Sequence, residues 1–139
     1  MYRSISCVIA STALLCGVAS AAPLTVSIDA VEDRGGKFYI SVQSESEFMK
    51  DEGTAGDVLE AIEAGTVLRT YDLPEGRYAV SVWHDENGNG EFDMTELGMP
   101  LDGWAMSGRP LTGPPTFDDV AVTVPDIGST VYLDMTYHR

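Results

Sequence analysis

Apolar and polar residues alternate at Leu24, Val26, Ile28 and Ala30, and again after Gly35-Gly36 at Phe38, Ile40 and Val42. A period of two puts one face of a strand in a core, so the two stretches predict strands and the glycine pair predicts a hairpin between them. Residues 43–53, rich in Ser, Glu and Lys, read as an exposed loop. The period then changes. Val58, Leu59 and Ile62 fall on one helical face, Thr54 with Asp57 resembles a capping box, and Gly65 is a stop signal, which together predict a short packing helix over 55–64.

Strand character returns over about 66–73. Leu73-Pro74-Glu75-Gly76 then makes a tight turn into Arg77–His84, where Tyr78, Val80 and Val82 share a face, and the pattern predicts an antiparallel pair. Residues 85–116 hold most of the glycine and proline and predict a long loop region with a short strand near Trp104–Met106. Such a loop in a compact domain is either functional or tied down. Val120, Val122 and Val124 mark one further strand, and Val131, Leu133, Met135 and Tyr137 another. About seven short strands with turn signals between them predict an all-β fold, an antiparallel sandwich of immunoglobulin or prealbumin type with one short helix and a long Gly/Pro-rich loop.

At 139 residues one domain is expected. Its first residues read as a secretory signal: Arg3 is the positive flank, Val8 to Val18 the apolar stretch, and Ala19-Ser20-Ala21 the small-residue cleavage site. The expected division is a signal peptide over 1–21 and a sandwich over 22–139, placed in the periplasm or outside the cell. The apolar run is too short for a membrane span and is interrupted by Ser11, Thr12 and Gly17. Cys7 and Cys16 both fall within the signal, leaving no disulfide in the exported domain, and Leu15 before Cys16 argues against lipid anchoring.

Charge narrows the partners. Losing residues 1–21 removes Arg3 and no acid, taking the formal charge from −14 to −15. Such a surface repels nucleic acid and anionic lipid, so neither nucleic-acid binding nor membrane insertion after cleavage is expected. It concentrates cations, divalent ones most, while also serving simple solubility. The expected state is a monomer whose partner is a protein or glycan of the cell envelope.

The stretch Asp85-Glu86-Asn87-Gly88-Asn89-Gly90-Glu91-Phe92-Asp93-Met94-Thr95-Glu96 fits the twelve-position calcium-loop pattern D-x-[DN]-x-[DN]-G-x₅-E throughout. Calcium takes six to eight oxygens, and this spacing directs Asp85, Asn87 and Asn89 at one point, with the Glu91 carbonyl, Asp93 and Glu96 completing the set. Gly90 permits the sharp turn, and Phe92 is expected to turn inward onto the core. A strand rather than a helix enters the loop and no helical period follows Glu96, so Glu96 is the weakest member. The competing reading is a plain turn, since Asn-Gly occurs at 87–88 and at 89–90. Oxygen-only ligands on a strand-anchored loop favour calcium over magnesium or softer metals, with weak affinity of roughly 10⁻⁴ to 10⁻³ M.

His84 shares the face of Tyr78, Val80 and Val82, and a hydrogen-bonded role orienting the loop is expected of it. The alternative is a metal-dependent hydrolase using His84 with neighbouring carboxylates; a purely structural envelope protein without metal is the third reading. The chain lacks G-x-S-x-G, H-E-x-x-H and a phosphate-cradling glycine loop, so no catalytic residue is assigned and a non-enzymatic role is expected. Trp83, Trp104 and Tyr71 are candidates for a glycan or peptide face, or for core and loop plugs.

At His84-Asp85-Glu86-Asn87-Gly88-Asn89-Gly90, Leu97-Gly98-Met99-Pro100 and Gly113-Pro114-Pro115-Thr116-Phe117-Asp118-Asp119 the chain resembles a bacterial exported family catalogued as domain of unknown function 2141. The approach Leu73-Pro74-Glu75-Gly76-Arg77-Tyr78-Ala79-Val80 is similar too, and resembles turns of prealbumin-like sandwiches. The resemblance implies an exported β-sandwich of about this length and carries no activity or catalytic residue with it. Asp85, Asn87, Asn89 and Asp93 match the family pattern. Where Glu96 stands the family often has a bulky apolar residue, and Asp118 or Asp119 is the replacement ligand if the strand it leads packs beside the loop.

Overall fold

A computed structural model describes residues 20–139. The export signal expected over 1–21, with its two cysteines, therefore falls outside the described residues except for Ser20 and Ala21. Strand β1 (Ala21–Val31) is the centre of a three-stranded sheet: it runs antiparallel to β4 (Gly65–Pro74) and parallel to β8 (Ser129–Asp134). The second sheet has the order β3 (Ala55–Leu59), β2 (Lys37–Gln43), β5 (Gly76–Asp85), β6 (Gly103–Met106). Beyond β2, the other flank of β5 is shared: β6 takes Ser81–His84 and β7 (Ala121–Val124) takes Gly76–Ala79. The molecule is a two-sheet β-sandwich, as the alternation predicts.

The core lies between the sheets. Leu24, Val26 and Ile28 of β1 face Phe38, Ile40 and Val42 of β2 and Val80 and Val82 of β5, with Val131, Leu133 and Met135 closing one side. Each of these strands has one apolar face, and laying two such faces together removes both from water.

The same logic overturns the hairpin expected of the first two strands. β1 and β2 lie in opposite sheets, because their apolar faces meet across the core and cannot also sit side by side in one sheet. The chain leaves β1 through a register shift at Ile28–Val31, with Ala30 at φ 56°. Gly35 and Gly36 are not a hairpin turn. A Cβ on Gly36 would overlap the Asp85 carbonyl, so this glycine lets the crossing chain press on the end of β5.

The turn at Leu73–Gly76 is a second crossing and not the link of an antiparallel pair: β4 pairs with β1, and β5 with β2. The Tyr78 hydroxyl donates to the Pro74 carbonyl four residues upstream, at 2.9 Å, and fixes the corner where the chain changes sheets.

The helix expected over 55–64 is a strand at Ala55–Leu59 and an irregular bend over 60–64. β3 pairs with β2 from Phe38↔Leu59 to Val42↔Ala55. The edge of β2 offers ladder hydrogen bonds to Ala55–Leu59, whereas a helix there would hold Gly56 in its interior and bury one narrow face. The single helix among the described residues is α1 (Phe117–Val120), one turn long, started by Thr116 and Asp119 in a reciprocal capping box. It precedes β7, so Val120 ends the helix while Val124 belongs to the strand. Loop 43–54 is held by Gln43, whose amide donates to the carbonyls of Lys50 and Glu52 at 2.8 and 2.7 Å.

Candidate loop site

β5 delivers its last two residues into the interior: His84 is fully buried and Asp85 is 1% exposed. Buried carboxylates need donors. Asp85 finds them in its own loop, one oxygen accepting from the Asn89 amide at 3.2 Å and the other from the Gly90 amide at 2.9 Å. The chain wraps around the carboxylate because Gly88 and Gly90 take φ of 69° and 77°.

The asparagines follow the same pattern. Asn87 Oδ1 accepts from the Asn89 amide at 3.0 Å, and Asn89 Oδ1 accepts from the Glu91 amide at 2.9 Å. Their Nδ2 groups both donate to one oxygen of Asp93, at 2.6 and 3.0 Å. Asp85, Asn87, Asn89 and Asp93 are thus brought into one hydrogen-bonded cluster. Glu91 and Glu96 make no side-chain hydrogen bond to it among the described residues. Glu96 sits at the exposed tip of a small hairpin made by Leu101 N to Asp93 O, Thr95 N to Met99 O and Gly98 N to Thr95 O. That hairpin is the reason the chain has turned away before the twelfth position is reached.

One functional residue escaped the spacing argument. Asp102 is buried, and its Oδ2 accepts both from Trp83 Nε1 at 2.9 Å and from the Asp93 backbone amide at 3.0 Å. It ties the far end of the loop back to β5 and so positions Asp93. The available signal was that Asp102 is the one acid between residues 97 and 116.

Two expectations about the surroundings are corrected. Phe92 does not enter the core: it is part-exposed and packs edge-on against Trp83, ring centroids 6.2 Å apart, on the outer face of the sheet. Asp118 and Asp119 cannot replace Glu96. Asp118 pairs with Arg77 at 2.8 Å, and Asp119 with Arg109 and its own cap, beside the opposite end of β5 from Asp85. The Thr116 hydroxyl, then Arg109, hold the Asp119 carboxyl below the usual range.

Beneath the loop, His84 Nδ1 lies 2.9 Å from the Tyr137 hydroxyl and Nε2 lies 2.7 Å from the Gly35 carbonyl. A carbonyl can only accept, so Nε2 carries the proton and Nδ1 receives the Tyr137 hydroxyl. Both ring nitrogens are spent inside the protein. Arg34 stands 4.6 Å over the Tyr137 ring and bonds Glu32 and Glu86, which raise its pKa and leave it no charge free for the loop. The aromatics are half-buried: Trp83 stacks on Tyr39 at 4.5 Å and lies opposite Trp104 in the ladder, and Tyr71 donates to Asp57 at 2.8 Å, its hydroxyl pKa pushed up by burial and then by that carboxylate.

The cluster's groups are of the kind a hard cation takes, and they are already bonded to one another. The cluster is all oxygen and amide, it gathers on a buried aspartate and a part-exposed one, and two amide N–H groups already aim positive charge at Asp93. Turning an amide oxygen toward an ion at Asp93 would cost the bond that oxygen accepts from the Asn89 or Glu91 backbone N–H. The cluster is sparse in charge: among the described residues no three His, Cys, Asp or Glu side chains gather as a metal site.

No curated protein and no solved structure gives a match to the chain. A family model described as "Uncharacterized protein conserved in bacteria (DUF2141)" matches residues 26–131, which takes in the sandwich from β1 into β8, the 85–96 loop and its Asp102 tether. The chain belongs to this DUF2141 family of bacterial proteins.

Proposed function

We propose that the protein is an exported, non-enzymatic binding module of the bacterial envelope whose 85–102 segment is held in shape by a calcium ion. The observation that carries this reading is the convergence of Asp85, Asn87, Asn89 and Asp93 on one another, with Asp102 fixing Asp93 from behind. Asp85, Asn87, Asn89 and Asp93 would hold the ion. Glu91 through its carbonyl and Glu96 are outer members at most. The ion would supply positive charge to a segment that has none of its own: no Lys or Arg occurs from residue 78 to 108, against six acids at Asp85, Glu86, Glu91, Asp93, Glu96 and Asp102. The role is structural, ordering the loop and stabilising the fold by mass action.

The hydrolase reading has less support. It needs a histidine able to take up or deliver a proton, and His84 is enclosed with both nitrogens engaged.

Thermal unfolding in excess EDTA, in calcium and in magnesium tests the ion. With a Kd on the order of 10⁻⁴ M, a hundredfold excess of calcium adds about 3 kcal/mol, on the order of 10 °C in a domain of this size. Magnesium is expected to give a smaller shift, and Asp93→Ala to remove the calcium shift. Equal midpoints in EDTA and calcium would reduce the loop to a glycine-rich turn.

A further inference from the structure

Beyond the ion cluster, the chain folds back on itself as a finger. Asp93 faces Leu101, Met94 faces Pro100 and Thr95 faces Met99, with Glu96-Leu97-Gly98 at the tip. Its side chains are the wrong ones for a solvated loop. Leu97 at the tip is 92% exposed, and Phe92, Met94, Met99 and Leu101 are between 39% and 60% exposed. Five large apolar residues within ten positions are left in water, whereas exposed large apolar residues are scattered elsewhere on the molecule. Alternation puts Met94 and Pro100 on one face of the finger and Met99 and Leu101 on the other. Contact with the sheet cannot cover both.

The setting of the finger selects the occupant. Glu91 and Glu96 flank it in the open, Asp93 stands at its root, and the cations at this end of β5 are engaged elsewhere: Arg34 bonds Glu32 and Glu86, and Lys37, opposite Asp85 in the ladder, pairs with Glu60 at 3.3 Å. A partner must therefore combine apolar surface with positive charge. An anionic membrane offers the first with the wrong sign of the second, and a second copy of this chain brings the same negative field.

We propose that the 92–101 finger docks a partner polypeptide presenting an apolar stripe edged with Lys or Arg, as a cationic amphipathic segment does. The two methionines suit this task, since an unbranched thioether adapts to differing surfaces. The inference rests on the reading of the protein as a binding module and not on the ion.

The test is fluorescence anisotropy with two labelled peptides of about 18 residues, five helical turns: one with Lys and Leu on opposite faces, the other with each Leu replaced by Ser. The Lys–Leu peptide is expected to bind saturably, more weakly as salt rises. The double variant Leu97→Ser, Met99→Ser is expected to bind it about tenfold less tightly while keeping the parent's unfolding midpoint. Equal binding of the Lys–Ser peptide, or an unchanged affinity in the variant, overturns the proposal. So does a dimer on a sizing column, or flotation with phosphatidylcholine vesicles, that the double variant abolishes, since either gives the finger another occupant. Running both peptides in EDTA and in millimolar calcium separates the readings. Binding without a calcium-dependent thermal shift retires the ion alone, and a shift without binding retires the finger alone.

Discussion

Tyr78 is the residue on which the change of sheet turns. Its ring packs in the core while its hydroxyl reaches back to Pro74, so one side chain both buries apolar area and holds the corner. Tyr78→Phe keeps the ring and loses the bond, and is expected to cost about 1 kcal/mol by urea unfolding. Asp102 can be dissected in the same way. Asp102→Asn retains an oxygen for Trp83 Nε1 and the Asp93 amide, whereas Asp102→Ala leaves both donors unpaired. The alanine variant is expected to lose about 1–3 kcal/mol and most of any calcium-induced shift, the asparagine variant much less of either. Glu47 provides a pH signature. The hydroxyls of Thr54 and Ser44, with the Ser44 amide, hold its carboxyl down to about 2 from an ordinary 4.5. A depressed folded pKa means that its contribution is complete above about 4.5 and is lost as pH falls toward 2. A carbon-detected NMR titration of Glu47 should therefore show a midpoint well below the ordinary glutamate value of 4.5. At this scale the sequence was legible where ligands share one short loop: Asp85, Asn87, Asn89 and Asp93 declare themselves by spacing. Asp102 does not, because its role depends on a backbone amide and an indole brought to it by pairing between β5 and β6.

Among elements, the strands with one apolar face were readable and their partners were not. Alternation reports which side of a strand is buried and says nothing about which sheet receives it, so both tight connections, at Gly35-Gly36 and at Leu73–Gly76, read as hairpins although each crosses the core. Segment 55–59 shows a different failure. Its Val58 and Leu59 sit at helix-compatible spacing, but the unpaired edge of β2 outweighs local preference. Gly56 is committed to that edge: a Cβ there would overlap the Ile40 carbonyl oxygen. Gly56→Val, which raises strand propensity on paper, is expected to destabilise by about 1–3 kcal/mol and to raise amide exchange along β2 and β3, measured by hydrogen–deuterium exchange. The capping box was sought at Thr54 and found at Thr116, where a Pro115 before the cap and two acids in the first turn leave a single turn of helix. Four residues are too few to show a helical period, so this element was invisible to pattern.

For the molecule as a whole, the two-sheet architecture and its family were both accessible from the chain alone, since about seven alternating runs admit few other folds. The arrangement of opposite faces is what remained hidden. Charge sets the expectation for behaviour in solution: a net −14 favours a monodisperse protein whose association with basic partners weakens steeply with salt. The proposed export carries its own test: protein recovered from the periplasm is expected to begin at Ala22 by intact mass. Cleavage there removes the Ala21↔Pro74 pairing and places the new α-amino group on Ala22, which is fully buried, so the end of β1 must open enough to hydrate that charge.

The parallel pairing of β1 with β8 has a consequence in time. Leu24 to Asp29 find their second neighbour only in Ser129 to Asp134, more than a hundred residues further along, so the middle strand of its sheet stays open on one flank until nearly all of the chain has been synthesised. Contacts of such long sequence separation form slowly. A polypeptide built this way is late to lock, and that lateness would suit the proposed export, in which a chain threads a translocation channel unfolded and closes its two sheets on the far side.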